Sequence, residues 1–126
     1  MIEFSEINYY VKPHGFSNDA PEKLLNQIAE ENDIVLTAIG DCGSCCSCCI
    51  RDAVSLEDRG IPSAAIITTE FVNETRLTRK AIGMPGLRPI VIEHPVSSIT
   101  DEEVNERVQI IKVQAQEVWL GQRADI

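Results

Sequence analysis

Outside the window from Cys42 to Cys49 this chain has no cysteine at all; the five it has are Cys42, Cys45, Cys46, Cys48 and Cys49. An odd number packed into one segment cannot staple distant loops. That excludes a disulfide scaffold, fits a reducing compartment and raises the question of a metal or redox role. Basic residues are also scarce: eleven Lys and Arg face twenty Asp and Glu, leaving a formal net charge of -9. Such a balance repels phosphate backbones and anionic lipid, so neither nucleic acid nor membrane is expected as a partner. No apolar run approaches the roughly 20 residues needed to span a bilayer. Met1-Ile2-Glu3-Phe4-Ser5-Glu6 lacks the basic and apolar regions of a signal peptide, and a cytoplasmic location is the expectation. There is no internal repeat. With 126 residues, 44% of them hydrophobic, the chain is long enough for one core, and a single domain over 1–126 is expected.

What is present alternates between helical and extended patterns. Ile2 to Val11 reads as a strand or an extended arm, and residues 1–18 are left as an N-terminal arm or strand, broken at Lys12-Pro13-His14-Gly15. Asp19-Ala20-Pro21-Glu22 has the form of an N-cap with proline in the first turn, and Leu24, Leu25, Ile28 and Ala29 predict a helix to about Glu31. Ile34 to Ile39 is a short apolar run of the kind buried on both faces of a parallel sheet. Cys46, Cys49, Ile50, Ala53, Val54 and Leu56 recur at helical spacing until Arg59-Gly60, with Pro62 beyond. Ala64 to Ile67 is the next strand, Glu70 to Ile82 a helix weakened by Phe71, Val72 and Thr75, and Pro89 to Ile92 the third strand. Thr100-Asp101-Glu102-Glu103 is a capping box opening a helix striped with Val104, Val108, Ile111, Ala115 and Val118. Its acidic residues are a solvated face.

This order predicts a three-layer, Rossmann-like α/β fold with a mostly parallel sheet. In such a sheet the C-terminal strand ends share one edge. Three loops should therefore meet: Gly40 to Cys46, Thr68-Thr69-Glu70, and Glu93-His94-Pro95.

The cysteine run leaves a strand at Gly40 and enters a helix, so Cys42 lies near a helix N-terminus with Cys45 about one turn on. Free N–H groups and the helix dipole favour thiolate there. In C-x-x-C sites the leading thiol's pKa falls from about 8.5 to roughly 3.5–7.5. Cys42 is thus the expected nucleophile and Cys45 the thiol placed to resolve a mixed disulfide or sulfenic acid. Gly43 leaves the backbone open, Ser44 is a candidate helix cap, and Asp41 opposes thiolate formation by its charge. Cys46, Cys48 and Cys49 also suit a plain reading as small buried hydrophobes. His94 is equally compatible with a structural role and with that of general acid or ligand, and Thr68 and Thr69 with strand-end caps.

Taken in order, Gly40-Asp41-Cys42-Gly43-Ser44-Cys45, Arg59-Gly60-Ile61-Pro62, Thr69-Glu70-Phe71, Gly83-Met84-Pro85 and His94-Pro95 before a capped helix resemble the UGSC family. That family is named for a motif whose first position is selenocysteine or cysteine. More distantly, the pattern resembles the selenoprotein B subunits of the glycine, sarcosine, betaine and proline reductases. The resemblance covers about residues 33 to 119 and implies that Cys42 stands in the selenocysteine position, that Cys45 is its partner thiol and that His94 shares the pocket. The chain departs from the pattern by adding Cys46, Cys48 and Cys49.

Two function classes follow. The first is a thiol-based oxidoreductase or reductase-like subunit acting on a small molecule, with Cys42, Cys45 and His94 catalytic and Asp41, Gly43, Ser44, Thr69 and Glu70 lining the substrate site. An external thiol reductant would recycle it, and a homo-oligomer or second subunit would complete so shallow a crevice. The alternative is a metal-binding protein, with Cys42, Cys45, Cys46, Cys49 and His94 ligating zinc, copper or an iron–sulfur cluster. Clustering in one segment weighs against a closed zinc site, which draws its pairs from separated segments.

Overall fold

The computed structural model describes residues 3–15 and 18–121. Its centre is a sheet of three parallel strands in the order β1 (Val35–Gly40), β2 (Ser63–Thr68), β3 (Ile90–Ile92). The middle strand β2 is buried at every position, as its unbroken Ser-Ala-Ala-Ile-Ile-Thr run requires of a strand covered on both faces. Around it stand α1 (Glu22–Glu31), α2 (Gly43–Asp58), α3 (Val72–Ala81) and α4 (Asp101–Trp119). On one face, Cys49, Ile50, Ala53 and Val54 of α2 pack against Ala65 and Leu87. On the other, Ala64, Ile66, Ile90 and Ile92 meet Ala115, with Ile111, Val118 and Trp119 of α4 beside it. Helices thus cover both faces of a parallel sheet, and the fold is the three-layer, Rossmann-like α/β arrangement.

The sequence marks several boundaries correctly. Arg59 caps α2, Gly60 takes φ +84°, and Ile61 N–H returns to Leu56 O at 3.1 Å, a glycine-closed helix end. At α4 the Thr100 hydroxyl accepts from Glu103 N–H while the Glu103 carboxylate accepts from Thr100 N–H, so the capping box is formed.

Elsewhere the structure differs. Residues 3–12 form an extended arm with no strand, and Ile2 lies outside the described residues. The arm is held by side chains instead: Asn8 donates to Asn32, Tyr10 to Glu31, and Lys12 to Asp52. Asp19 does not cap α1, whose N-cap is Pro21 with no side-chain hydrogen bond. The reason is Asp52, a buried carboxylate of α2 that accepts from Ala20 N–H at 2.9 Å and from Lys12 Nζ at 3.0 Å. It anchors the chain entering α1 to the neighbouring helix. β1 is not buried on both faces. It is an edge strand that α4 meets at its start, where Trp119 Nε1 donates to Val35 O, and Leu36 and Ala38 stay exposed. The helix expected from Glu70 begins as a 3-10 turn, Thr69–Phe71, and becomes α-helical at Val72. Its Thr75 and Thr78 hydroxyls donate back to Val72 O and Glu74 O, bonds that suit these residues poorly to helix interiors. The α4 stripe is buried at Ala115, while Val104 and Val108 remain 42% and 38% exposed. No helix among the described residues is long and apolar enough to cross a membrane.

Candidate functional site

The three strands end on one edge, and the loops that leave them meet there. Gly40, the last residue of β1, is fixed by contact: a Cβ at this position would lie 2.7 Å from Ile67 Cγ2 and 2.9 Å from Cys46 Cα. Only glycine lets β1 and the first turn of α2 approach this closely. The chain then turns through Asp41 into Cys42, which is the N-cap of α2 in extended conformation. Cys42 Sγ accepts from Cys45 N–H at 3.2 Å and lies 3.7 Å from Ser44 Oγ. The cap is therefore Cys42 and not Ser44, which is exposed on the first turn. Cys42 and Cys45 are joined as a disulfide, with Cα atoms 5.2 Å apart, within the span of about 4.4–6.8 Å that such a bond needs.

His94 arrives from the end of β3. Its Nδ1 lies 2.8 Å from Thr68 Oγ1, at the end of β2, and 3.0 Å from Asp41 Oδ1, at the end of β1. The contact with Asp41 is one of proximity rather than alignment, since that buried oxygen has no aligned hydrogen-bond donor. His94 N–H donates to Thr69 Oγ1 at 3.3 Å, and the Phe71 ring meets the imidazole edge-on with centroids 5.8 Å apart. Arg107, only 7% exposed, reaches across from α4: Nε donates to Glu93 O at 3.1 Å and Nη2 to Pro95 O at 3.5 Å, the carbonyls on either side of His94. Its Nη1 donates to Glu103 O at 3.3 Å. The histidine is thus held by its ring, its amide and both neighbouring carbonyls.

The remaining thiols are interior groups. Cys46 is fully buried, with its Sγ donating to Phe71 O at 3.7 Å; burial first, and then the Glu74 carboxylate, push the thiol up to about 12. Burial likewise raises Cys49 to about 12, Lys12 opposing and Asp52 adding to it. Cys48 is raised by burial and by the neighbouring Asp19. Of the donor set considered for a metal, Cys42 and Cys45 are bonded to each other, and Cys46 and Cys49 face the interior. Among the described residues no three His, Cys, Asp or Glu side chains converge as a metal site.

The sequence-predicted residues divide accordingly. Asp41, Thr69 and His94 are in contact, and Cys42 follows Asp41 in the chain and is bonded to Cys45, with Gly43 and Ser44 on the first turn of α2, whereas Glu70 is exposed on the 3-10 turn and makes none of these contacts. Sequence reasoning missed Glu74, whose Oε2 would lie 3.9 Å from a Cβ at Gly43, and it missed Phe71 and Arg107. The signal for Arg107 was a lone basic residue in the first three turns of a helix that opens on acidic residues, one turn after the capping box. Hollows in the surface, of about 550 Å³ along α1 and about 270 Å³ between α1 and α2, are lined by other residues.

A model of the UGSC family matches residues 1–121, the match including the Cys42-Gly43-Ser44-Cys45 turn. The chain belongs to the UGSC family. No curated protein and no solved structure matches it. In this UGSC protein, cysteine occupies the position that gives the motif its first letter, and that residue is the N-cap of α2.

Proposed function

We propose that this UGSC protein is a thiol-based oxidoreductase, or the thiol-bearing subunit of a reductase-like assembly, acting on a small molecule from the cytoplasm. The observation that carries the reading is the Cys42–Cys45 pair at the start of α2, set apart from three thiols that burial keeps protonated. In the reduced protein, Cys42 attacks a soft centre such as a disulfide sulfur. A bond forms between Cys42 Sγ and that sulfur, and the substrate's own S–S bond breaks to release a thiolate. Cys45 then attacks Cys42 Sγ, releasing the second half of the substrate as a thiol and leaving the Cys42–Cys45 disulfide. Two equivalents of an external thiol return the pair to the reduced state. His94 supplies and accepts protons at the junction, while Asp41, Gly43, Ser44, Thr69 and Glu70 face the substrate. A second chain, of the same or another kind, closes the open side.

The test uses reduced protein and a small neutral disulfide. Wild type is expected to release two thiols per chain and end with Cys42 bonded to Cys45. Cys45→Ser should release one thiol and remain as a mixed disulfide at Cys42, and Cys42→Ser should release none. Near-stoichiometric metal in anaerobically purified wild type, lost on Cys45→Ser together with several degrees of melting temperature, would replace this reading with the metal one.

A further inference from the structure

We infer that the Cys42–Cys45 pair takes positively charged disulfides in preference to anionic ones, and that Glu74, reaching over from α3, is the residue that sets this preference. The inference rests on the thiol reading above and adds to it the class of substrate.

Glu74 is placed by the packing of α3 on α2. Cys46 Sγ donates to Phe71 O at 3.7 Å and Ser47 Oγ lies 3.4 Å from Thr78 Oγ1, so the side of α3 that meets α2 carries Glu74 and Thr78, one turn apart. There the Glu74 carboxylate reaches Gly43, where its Oε2 would stand 3.9 Å from an added Cβ. Gly43 follows Cys42 inside the C-x-x-C turn and is the first residue of α2. The same carboxylate acts on the thiol of Cys46, one residue past Cys45. Glu74 is exposed, and among the described residues no cation pairs with its side chain.

A helix N-terminus ordinarily favours anions. Here a carboxylate already stands against the first residue of α2, so an incoming anion meets a like charge at the exposed N–H groups. The other charges nearby do not reverse this. Asp41 precedes Cys42, and Glu70 and Glu93 are exposed on the loops that leave β2 and β3. Arg107 is buried against the carbonyls of Glu93 and Pro95, Arg79 is buried with Nη1 donating to Leu87 O, and Arg76, two residues past Glu74, projects from another side of α3. His94, where protonated, faces Asp41 at 3.0 Å and offsets that carboxylate alone.

Exchange brings the substrate's charge to this place. Cys42 Sγ bonds to one substrate sulfur, the substrate's S–S bond breaks, and the other half leaves as a thiolate. The half held on Cys42 then carries its charged group beside the first turn of α2 until Cys45 displaces it as a second thiolate.

The test uses reduced protein at low ionic strength and three disulfides with the same two-carbon arm: cystamine, which is cationic, 2-hydroxyethyl disulfide, which is neutral, and 3,3′-dithiodipropionate, which is anionic. Each rate is divided by that of free 2-mercaptoethanol, which removes the intrinsic differences among the three. A unit charge about 7 Å from another in water changes a rate about threefold in either direction. Wild type should therefore favour cystamine over dithiodipropionate by about tenfold, with 2-hydroxyethyl disulfide between them, and Glu74→Gln should lower that ratio about fivefold. Loss of the carboxylate also eases thiolate formation, but that speeds all three reactions alike and cancels in the ratio. Asp58→Asn removes the same charge from the far end of α2, roughly 22 Å away at about 1.5 Å per residue, and should change the ratio less than about twofold. No preference in wild type, a preference that Glu74→Gln leaves intact, or an equal loss in Asp58→Asn overturns the inference while leaving the thiol reading standing. No thiol released from any of the three, or unchanged release by Cys42→Ser, overturns the thiol reading and the charge preference with it.

Discussion

At the scale of single residues, the five cysteines are one side chain in two kinds of surroundings. Cys42 is partly open at a helix start, where exposed N–H groups stabilise sulfur as an anion, whereas Cys46 and Cys49 are interior thiols pushed up to about 12. In reduced protein at neutral pH, iodoacetamide should therefore label Cys42 first, and mass spectrometry showing Cys46, Cys48 or Cys49 ahead of it would refute the assignment. The same shifts set an alkaline limit. A thiol whose pKa is 9.0 when solvated and about 12 when folded stays protonated longer in the native state, so the unfolded chain loses its protons first. Stability should accordingly be intact below pH 9 and fall between about pH 9 and 12. Denaturant titrations of Cys46→Ala should show a shallower fall. The sequence made the C-x-x-C pair legible because its spacing is local. It could not show that Cys42 itself caps α2 or that Asp41 touches His94, since the second contact joins residues 53 positions apart and depends on how β1 and β3 flank β2.

Among the elements, the joint between β1 and α2 tolerates least. Gly40 has no room for a methyl group between Ile67 and the backbone of Cys46, and both are parts of the core rather than flexible ends. Gly40→Ala should cost about 1–3 kcal/mol by overpacking, measured in urea, and should slow Cys42 by shifting the first turn of α2. A neutral result would mean that the joint opens more freely than its contacts imply. The apolar run before Gly40 predicts a strand buried on both faces, and the strand is there without the burial. Hydrophobicity reports that a segment is extended and largely apolar; which strand lies at the edge is set by how many strands follow. The end of α2 and the start of α4 follow their sequence signals, because Gly60 and the Thr100 capping box act within a few residues, whereas Asp19 and Ser44 cap nothing.

For the whole molecule, the two edges of the sheet are finished differently. On β3, the Gln114 side chain takes the place of a further strand: its Oε1 accepts from Val91 N–H at 2.8 Å and its Nε2 donates to Val91 O at 3.0 Å. An exposed edge is a template for unwanted pairing, and a glutamine amide presents the same donor and acceptor that a neighbouring backbone would. Gln114→Ala should lose about 0.5–1.5 kcal/mol and associate with itself at high concentration, as light scattering would show. A monodisperse variant of wild-type stability would make the contact incidental. Nothing in the spacing of α4 announces this use of Gln114. The three-layer plan was legible because alternation of strands and helices is repeated along the chain, whereas a single side chain mending an edge has no periodic trace.

The Cys42 cap has one more consequence, which concerns what selection has kept. The sulfur proposed to react is also the acceptor that closes the first turn of α2, from Cys45 N–H. Oxygen does that second task better: serine is among the strongest N-caps. Reduced Cys42→Ser should therefore be chemically silent and melt at or above reduced wild type, and a drop of several degrees would show that the sulfur does more than close the turn. Under the proposed thiol chemistry, cysteine at this position gives up folding stability for reactivity.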